Sequence, residues 1–221
     1  ILDFLSFNVF NNKNLDGVDA VVTAGPTKEP LDPIRFISNN SSGIQGYLIA
    51  KELADCGAKV TLVSGPTDLS PPQNLFNFTS VKTAEEMYKV CLEVIPKDLF
   101  ISVAAVTDWK VKISDNKIKK GKVPPNLKLV KNPDILRSIS IHKKRPKLVI
   151  GFAAETEKLE ENALKKIKQK KCDIIIANNV SEKNQVFGSK TNEVSLINSK
   201  GAFLKLKKMN KEKIAKKIIN E

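Results

Sequence analysis

Histidine is almost missing from this chain. His142 is the only one among 221 residues, and no recognisable Ser-His-Asp spacing surrounds it, which excludes a triad-type hydrolase. Cysteine is scarce as well. Cys56, Cys91 and Cys172 are far apart, odd in number and set in apolar periodic segments, so there is no Cys-x-x-Cys motif and no disulfide framework. They read as reduced core residues, and a cytoplasmic setting is the expectation that follows. No apolar run approaches the ~18 residues that a membrane-spanning helix needs, so no membrane role is expected. Ile1 to Phe10 lacks the basic start and small-residue cleavage site of a secretory signal, and Ile1 stands where a start Met would be. The chain therefore reads as a piece of a longer polypeptide, with 1–17 as a linker or tail and 18–221 as one domain.

Acidic residues are in deficit: 24 Asp and Glu stand against 37 Lys and Arg, a net charge of +13. Such an excess suits nucleic acid. Yet aromatics make up only 6% of the chain, and few of them interleave with the lysines for base stacking. Lys165, Lys166, Lys168, Lys170, Lys207, Lys208, Lys211, Lys213, Lys216 and Lys217 read mostly as solvated faces, so no nucleic-acid partner is expected. Hydrophobic residues at 41% and charged residues at 28% are ordinary for a globular protein of this size.

Asp19 to Ala24, Lys59 to Ser64, Asn77 to Val81, Leu99 to Ala104, Lys147 to Ala153 and Asp173 to Asn178 are short aliphatic runs bounded by turn residues, and each predicts a strand. Helical stripes lie between them: Gly46, Ile49, Ala50, Leu53 and Cys56, then Met87, Val90, Cys91, Val94 and Ile95. The alternation predicts a Rossmann-like three-layer α/β/α sandwich on a mostly parallel sheet. Glu193 to Asn198 and Ala202 to Leu206 flank a Ser-Lys-Gly turn, which predicts an antiparallel C-terminal edge before a last helix carrying Ile214, Ala215, Ile218 and Ile219. Val106 to Asn132 is long, irregular and rich in Lys, Asn, Gly and Pro, as lids and dimerisation arms are.

In open parallel sheets ligands sit beyond the carboxyl ends of the strands. After the first strand comes a polar loop from Gly25 to Gly43, with Arg35, Asn39, Ser41 and Ser42, running into a helix whose start favours anions. After the fourth come Ala104 to Asp108, after the fifth Ala153 to Thr156, and after the sixth Asn178 to Ser181.

Read together, Ala24 to Asn39 with Ser41-Ser42-Gly43, Ala104-Ala105-Val106-x-Asp108, Lys117-Ile118-Lys119-Lys120, Leu129 to Leu136, Gly151 to Thr156 and Phe187-Gly188-Ser189-x-x-Asn192 resemble the phosphopantothenoylcysteine synthetase (phosphopantothenate-cysteine ligase) family. In the bacterial form, that ligase is the C-terminal half of a bifunctional protein, and FMN belongs to the other, decarboxylase half. The resemblance implies a Mg²⁺-requiring ligase of coenzyme A biosynthesis that joins 4′-phosphopantothenate to L-cysteine through an acyl-cytidylate, with CTP as co-substrate. It also implies a homodimer to which the arm contributes.

The resemblance further implies roles for particular residues. Lys117 would reach the triphosphate, Asn39 would hold the activated carbonyl, and Arg35 would pair with a carboxylate or phosphate of phosphopantothenate. Ser41, Ser42 and Gly43 would bind that substrate too. Ser102, Val103, Ala104, Asp108, Pro133, Asp134, Ile135, Leu136, Phe152, Lys166 and Lys170 would contact the nucleotide. Each has a plainer explanation: a solvated lysine, a helix cap at Asn39, Ser41 or Ser42, an Arg35 ion pair with Asp32 or Glu29, a turn at Asp108, a cap at Asp134, or strand burial at Ser102 to Ala104. No residues are assigned to the metal. Where relatives commonly carry Ser-Ser-Gly-Lys-Met-Gly, this chain has Ser42-Gly43-Ile44-Gln45-Gly46, one cation fewer. Two other readings remain open, an NAD- or FAD-binding reductase and a basic nucleic-acid module, although no Gly-x-Gly-x-x-Gly follows the first strand.

Overall fold

The computed structural model describes residues 15–96, 98–120, 126–155, 157–180 and 189–220. Six strands form the parallel part of one sheet: β1 (Asp19–Ala24), β4 (Lys59–Ser64), β5 (Asn77–Ser80), β6 (Leu99–Ser102), β9 (Leu148–Glu155) and β10 (Ile174–Asn179). β11 (Thr191–Asn198) and β12 (Gly201–Asn210) extend it antiparallel. The spatial order is β12-β11-β10-β9-β6-β1-β4-β5. Its parallel portion reverses direction of build between β1 and β6, the Rossmann arrangement and its switch point. The expected three-layer sandwich with an antiparallel C-terminal edge is the observed architecture.

Alternation along the strands sorts two cores. Ala20, Val22, Val60, Leu62, Ile101 and Ile150 face α1 (Ile44–Asp55) and α5 (Lys211–Asn220), whose Ile49, Leu53, Ile214 and Ile218 are fully buried. Val21, Val63, Phe100, Val149 and Ile175 face α2 (Ala84–Glu93), α3 (Ile135–Ser140) and α4 (Leu159–Lys170) through Met87, Cys91, Ile139 and Ala163. Both faces of the sheet are thus apolar, which is why the strands read as near-continuous hydrophobic runs. Leu15 is buried in the first core and its N–H donates to the Cys56 carbonyl at 2.9 Å, so the packed unit includes residues 15–17, ahead of the expected boundary. The rest of the expected tail, 1–14, lies outside the described residues, as do Thr156, Ser181, Phe187, Gly188 and the 121–125 portion of the arm.

Two segments read as irregular contain short ladders. The loop after β1 holds an antiparallel pair, β2 (Lys28–Pro30) with β3 (Phe36–Ser38), and the arm holds β7 (Trp109–Val111) paired with β8 (Leu129–Lys131). Three-residue strands are too short to show a period-2 pattern. Cys91 and Cys172 are buried as expected, and burial pushes their thiols up to about 12 and about 11. Cys56 is only partly buried, because it ends α1 at the surface.

Close approach of α1 to β1 rests on Gly46. A Cβ there would lie 2.6 Å from Ala24 Cβ and 3.2 Å from the Thr23 carbonyl oxygen, and neither can move without shifting the central strand. Gly46→Ala is expected to destabilise the fold by about 1–3 kcal/mol, as overpacking does, read as a lower urea midpoint at unchanged slope.

Candidate functional site

The site is built where the chain leaves β1 and β6, and backbone groups join the two exits. Val103 N–H donates to the Thr23 carbonyl at 3.2 Å, Ala105 N–H to the Gly25 carbonyl at 2.9 Å, and Thr27 N–H to the Ala105 carbonyl at 3.2 Å. Threonines continue the seam. Thr23 Oγ1 accepts from Ala104 N–H and Thr27 Oγ1 from Thr107 N–H, at 3.2 and 3.1 Å. Asn39 Nδ2 donates to the Ala105 carbonyl at 2.9 Å, drawing the far end of the β1 loop onto the β6 exit.

This seam floors a cleft of about 840 Å³. Asn39, Ser102, Ala104, Asp108, Pro133, Asp134, Ile135, Leu136, Phe152, Lys166 and Lys170 all line it, although they span most of the chain. A smaller cavity of about 150 Å³ adjoins it and shares Ala104 and Phe152; Ser41, Ser42, Gly43 and Val103 line this one. Of the residues expected from the sequence, only Arg35 and Lys117 line neither.

Gly43, not a serine or Asn39, precedes α1, with φ 77° and no side-chain cap. Ser41 Oγ accepts only the Gly43 N–H, at 3.3 Å. The capping alternatives for Asn39, Ser41 and Ser42 are therefore set aside by the structure. Asp134 behaves differently: it is the N-cap of α3, its Oδ1 accepting the Arg137 N–H at 3.0 Å, with Pro133 just outside the helix. Its Oδ2 meets Lys170 Nζ at 2.6 Å. Lys166 Nζ lies 2.7 Å from Glu155 Oε1, whose side chain is 11% exposed. Both cleft lysines are thus held by carboxylates on facing elements, although their side chains remain partly exposed. Each of these pairs is part-exposed, so it orients the lysines more than it stabilises the fold.

Asp108 is exposed at the mouth of the cleft, and no described group pairs with its carboxylate; its backbone carbonyl accepts the Asn132 N–H at 2.9 Å, tying β7 to β8. Asn132 donates to the Thr107 carbonyl at 2.8 Å, while its buried Oδ1 has no hydrogen-bond donor among the described residues. Arg35 binds Asp32 through Nε at 3.0 Å and through Nη2. The ion pair that the sequence offered as the plainer explanation is present. The Arg35 guanidinium, foremost, holds the Asp32 carboxyl well below the usual carboxylate range, with backbone N–H groups of Ile34, Arg35 and Ile118 adding to the effect.

Sequence reasoning missed Lys211. Read as a solvated helix lysine, it is 6% exposed at the start of α5 and lines the smaller cavity with Asn178 and Asn192. Burial lowers its pKa. Ile44 borders the same cavity, so a lysine from another element stands beside the position where the sequence comparison expected a cation. The i, i+3, i+4 stripe of Ile214, Ala215 and Ile218 already placed position 211 on the buried face, and that periodicity was the available signal.

Fold and cleft together make this a Rossmann-order α/β domain with one polar-rimmed crevice at its switch point. The chain belongs to the family described as DNA/pantothenate metabolism flavoprotein C-terminal domain, whose model matches residues 15–221. It is 39% identical over 221 residues to the coenzyme A biosynthesis bifunctional protein CoaBC of Haemophilus influenzae, covering 99% of this chain and 54% of that protein. Thus the chain spans about half the length of the curated relatives it matches. The crystal structure of the C-terminal domain of a CoaBC protein superposes with a TM-score of 0.76 at 34% identity, covering 93% of both chains. A Cab2 mutant in complex with phosphopantothenate-cysteine shares the fold at a TM-score of 0.68 and 18% identity, over 99% of this chain and 88% of that one.

Asp134 combines a cap with an ion pair, and two variants separate them. Asp134→Ala is expected to cost about 1 kcal/mol of stability, whereas Asp134→Asn keeps the cap and changes the urea midpoint little.

Proposed function

We propose that this chain is a CTP-dependent phosphopantothenate-cysteine ligase. What carries the reading is that eleven residues expected from the family resemblance, scattered from Asn39 to Lys170, line one cleft. A relative named for coenzyme A biosynthesis and a fold neighbour holding phosphopantothenate-cysteine support the substrate class.

In this reading the phosphopantothenate carboxylate attacks the α-phosphorus of CTP. An acyl-cytidylate forms and pyrophosphate leaves. The cysteine amine then attacks the acyl carbon, CMP leaves, and the amine loses its proton as the amide forms. Phe152 flanks the base at the rim shared by both cavities, Ser102 to Ala104 offer backbone groups, and Lys166 and Lys170 face the phosphates. Asn39 keeps a second N–H to donate to the carbonyl while its other N–H holds Ala105. Lys117, on the arm, supplies positive charge where pyrophosphate departs. Such reactions are served mainly by positioning and charge stabilisation, which fits a site built without histidine.

Mg²⁺ would neutralise triphosphate charge. Among the described residues there is no group of three or more His, Cys, Asp or Glu side chains able to hold a metal ion. The proposed ion would be carried by nucleotide phosphates and water, and no protein ligand is assigned to it. A homodimer is part of the proposal: Trp109, Leu129 and Val130 on the β7–β8 arm are 45%, 52% and 42% exposed, and a second copy would cover them. No helix among the described residues is long and apolar enough to cross a membrane; a cytoplasmic setting belongs to the proposal. The dinucleotide reading is not favoured, since residues 25–43 carry a β-hairpin between β1 and α1 instead of a tight glycine turn.

Exchange of labelled pyrophosphate into CTP tests the first half-reaction. Exchange that requires phosphopantothenate but not cysteine, exceeds that with ATP, and falls about 10²-fold or more in Lys117→Ala is the expected result. Exchange indifferent to phosphopantothenate would overturn the proposal.

A further inference from the structure

Arg35 lies outside both cavities, and its contacts point elsewhere. The loop joining β2 to β3 closes on Asp32, whose side chain is fully buried and accepts N–H groups from Ile34 at 2.9 Å and Arg35 at 2.8 Å through Oδ1. Its Oδ2 takes Arg35 Nε and also the backbone N–H of Ile118, at 3.0 and 3.1 Å. Arg35 Nη2 in turn donates to the Ile118 carbonyl at 2.7 Å. Both polar groups of one arm residue are therefore gripped, its N–H by the carboxylate and its C=O by the guanidinium. One further bond joins the segments, from Ser114 N–H to the Leu31 carbonyl at 2.9 Å.

Among the described residues, no other hydrogen bond or ion pair ties this stretch to the rest of the chain. From 112 to 120 every residue is exposed except Ser114 and Ile118, the two that bond to the 31–35 loop. With so little apolar burial, the course of the arm depends on charge-assisted bonds to a preformed ion pair. Lys117 immediately precedes the gripped residue. The Nε and Nη2 donors of Arg35 are both engaged, by Asp32 and by the Ile118 carbonyl, so that edge of the guanidinium holds the arm.

We propose that Asp32 and Arg35 are positioning residues: together they clamp the arm at Ile118 and so set where Lys117 stands. The role of Lys117 rests on the ligase reading above, whereas the clamp itself does not. Asp32→Asn keeps the shape but turns an acceptor that faced Arg35 and Ile118 into a donor, and Arg35→Lys keeps the charge but loses the fork.

Two measurements on the purified chain decide it. Amide hydrogen exchange of the peptide containing Ile118 is expected to accelerate about tenfold or more in both variants, with peptides of β1 and α1 unchanged. In the pyrophosphate exchange assay, each variant is expected to lower kcat about 10²-fold, with KM for phosphopantothenate unaltered and no additional loss when Asp32→Asn is combined with Lys117→Ala. The clamp is overturned if Ile118 exchange is unaffected. It is also overturned if Arg35→Lys raises KM while Asp32→Asn leaves the rate intact, the pattern of direct substrate binding. A chain with no exchange activity at all would refute the ligase reading, and the Ile118 measurement would still decide the clamp.

Discussion

The molecule depends on a seam between two strand exits. β1 and β6 are neighbours in a parallel sheet, and beyond their ends the chain would normally diverge to opposite faces. Here it does not separate at once: Val103, Ala105 and Thr27 extend the hydrogen-bonding past the strands, and Thr23, Thr27 and Asn39 bind the remaining backbone groups. The crevice of a Rossmann-order sheet gains a floor held by hydrogen bonds across both strand exits. Side chains from β9, α3 and α4 then have a fixed surface to face. Preorganisation of this kind is what a reaction governed by positioning and charge needs.

Electrostatics follow the same plan. Lys166 and Lys170 are tethered by Glu155 and Asp134, so the two cations are held at fixed places on the rim. Asp134 does double duty as a helix cap, coupling α3 to α4 across the cleft. Lys211, buried at the start of α5, brings a lysine to the adjoining cavity, which Ile44 also lines. The large positive net charge of the chain is thus partly organised around the site, and a basic composition need not signal nucleic acid.

Much of the fold was legible because both sheet faces are covered. β1 and β4 were predicted to the residue, and the hydrophobic stripes of α1, α2 and α5 fell on the two cores. Most expected site residues also share a cleft, since strand ends could be located and the switch point gives their meeting place. The hairpin of β2 and β3 and the β7–β8 arm were not legible. Their strands are three residues long and are fixed by tertiary bonds, such as those of Asp32 and Asn132, that no local pattern announces. The Asp32 partner of Arg35 was among the alternatives the sequence offered, but its second partner, the Ile118 carbonyl, lies 83 positions away and was not legible. Lys211 was lost among many lysines, where composition outweighed periodicity.

The central claim is that the seam and the elements facing it form one nucleotide site. A crystal structure of the chain soaked with CTP tests it most directly. The account predicts a nucleotide lying in the cleft, its base against Phe152 and Ser102 to Ala104 and its phosphates toward Lys166 and Lys170. A nucleotide bound elsewhere on the chain, or a cleft that stays empty while the nucleotide is saturating, would contradict it.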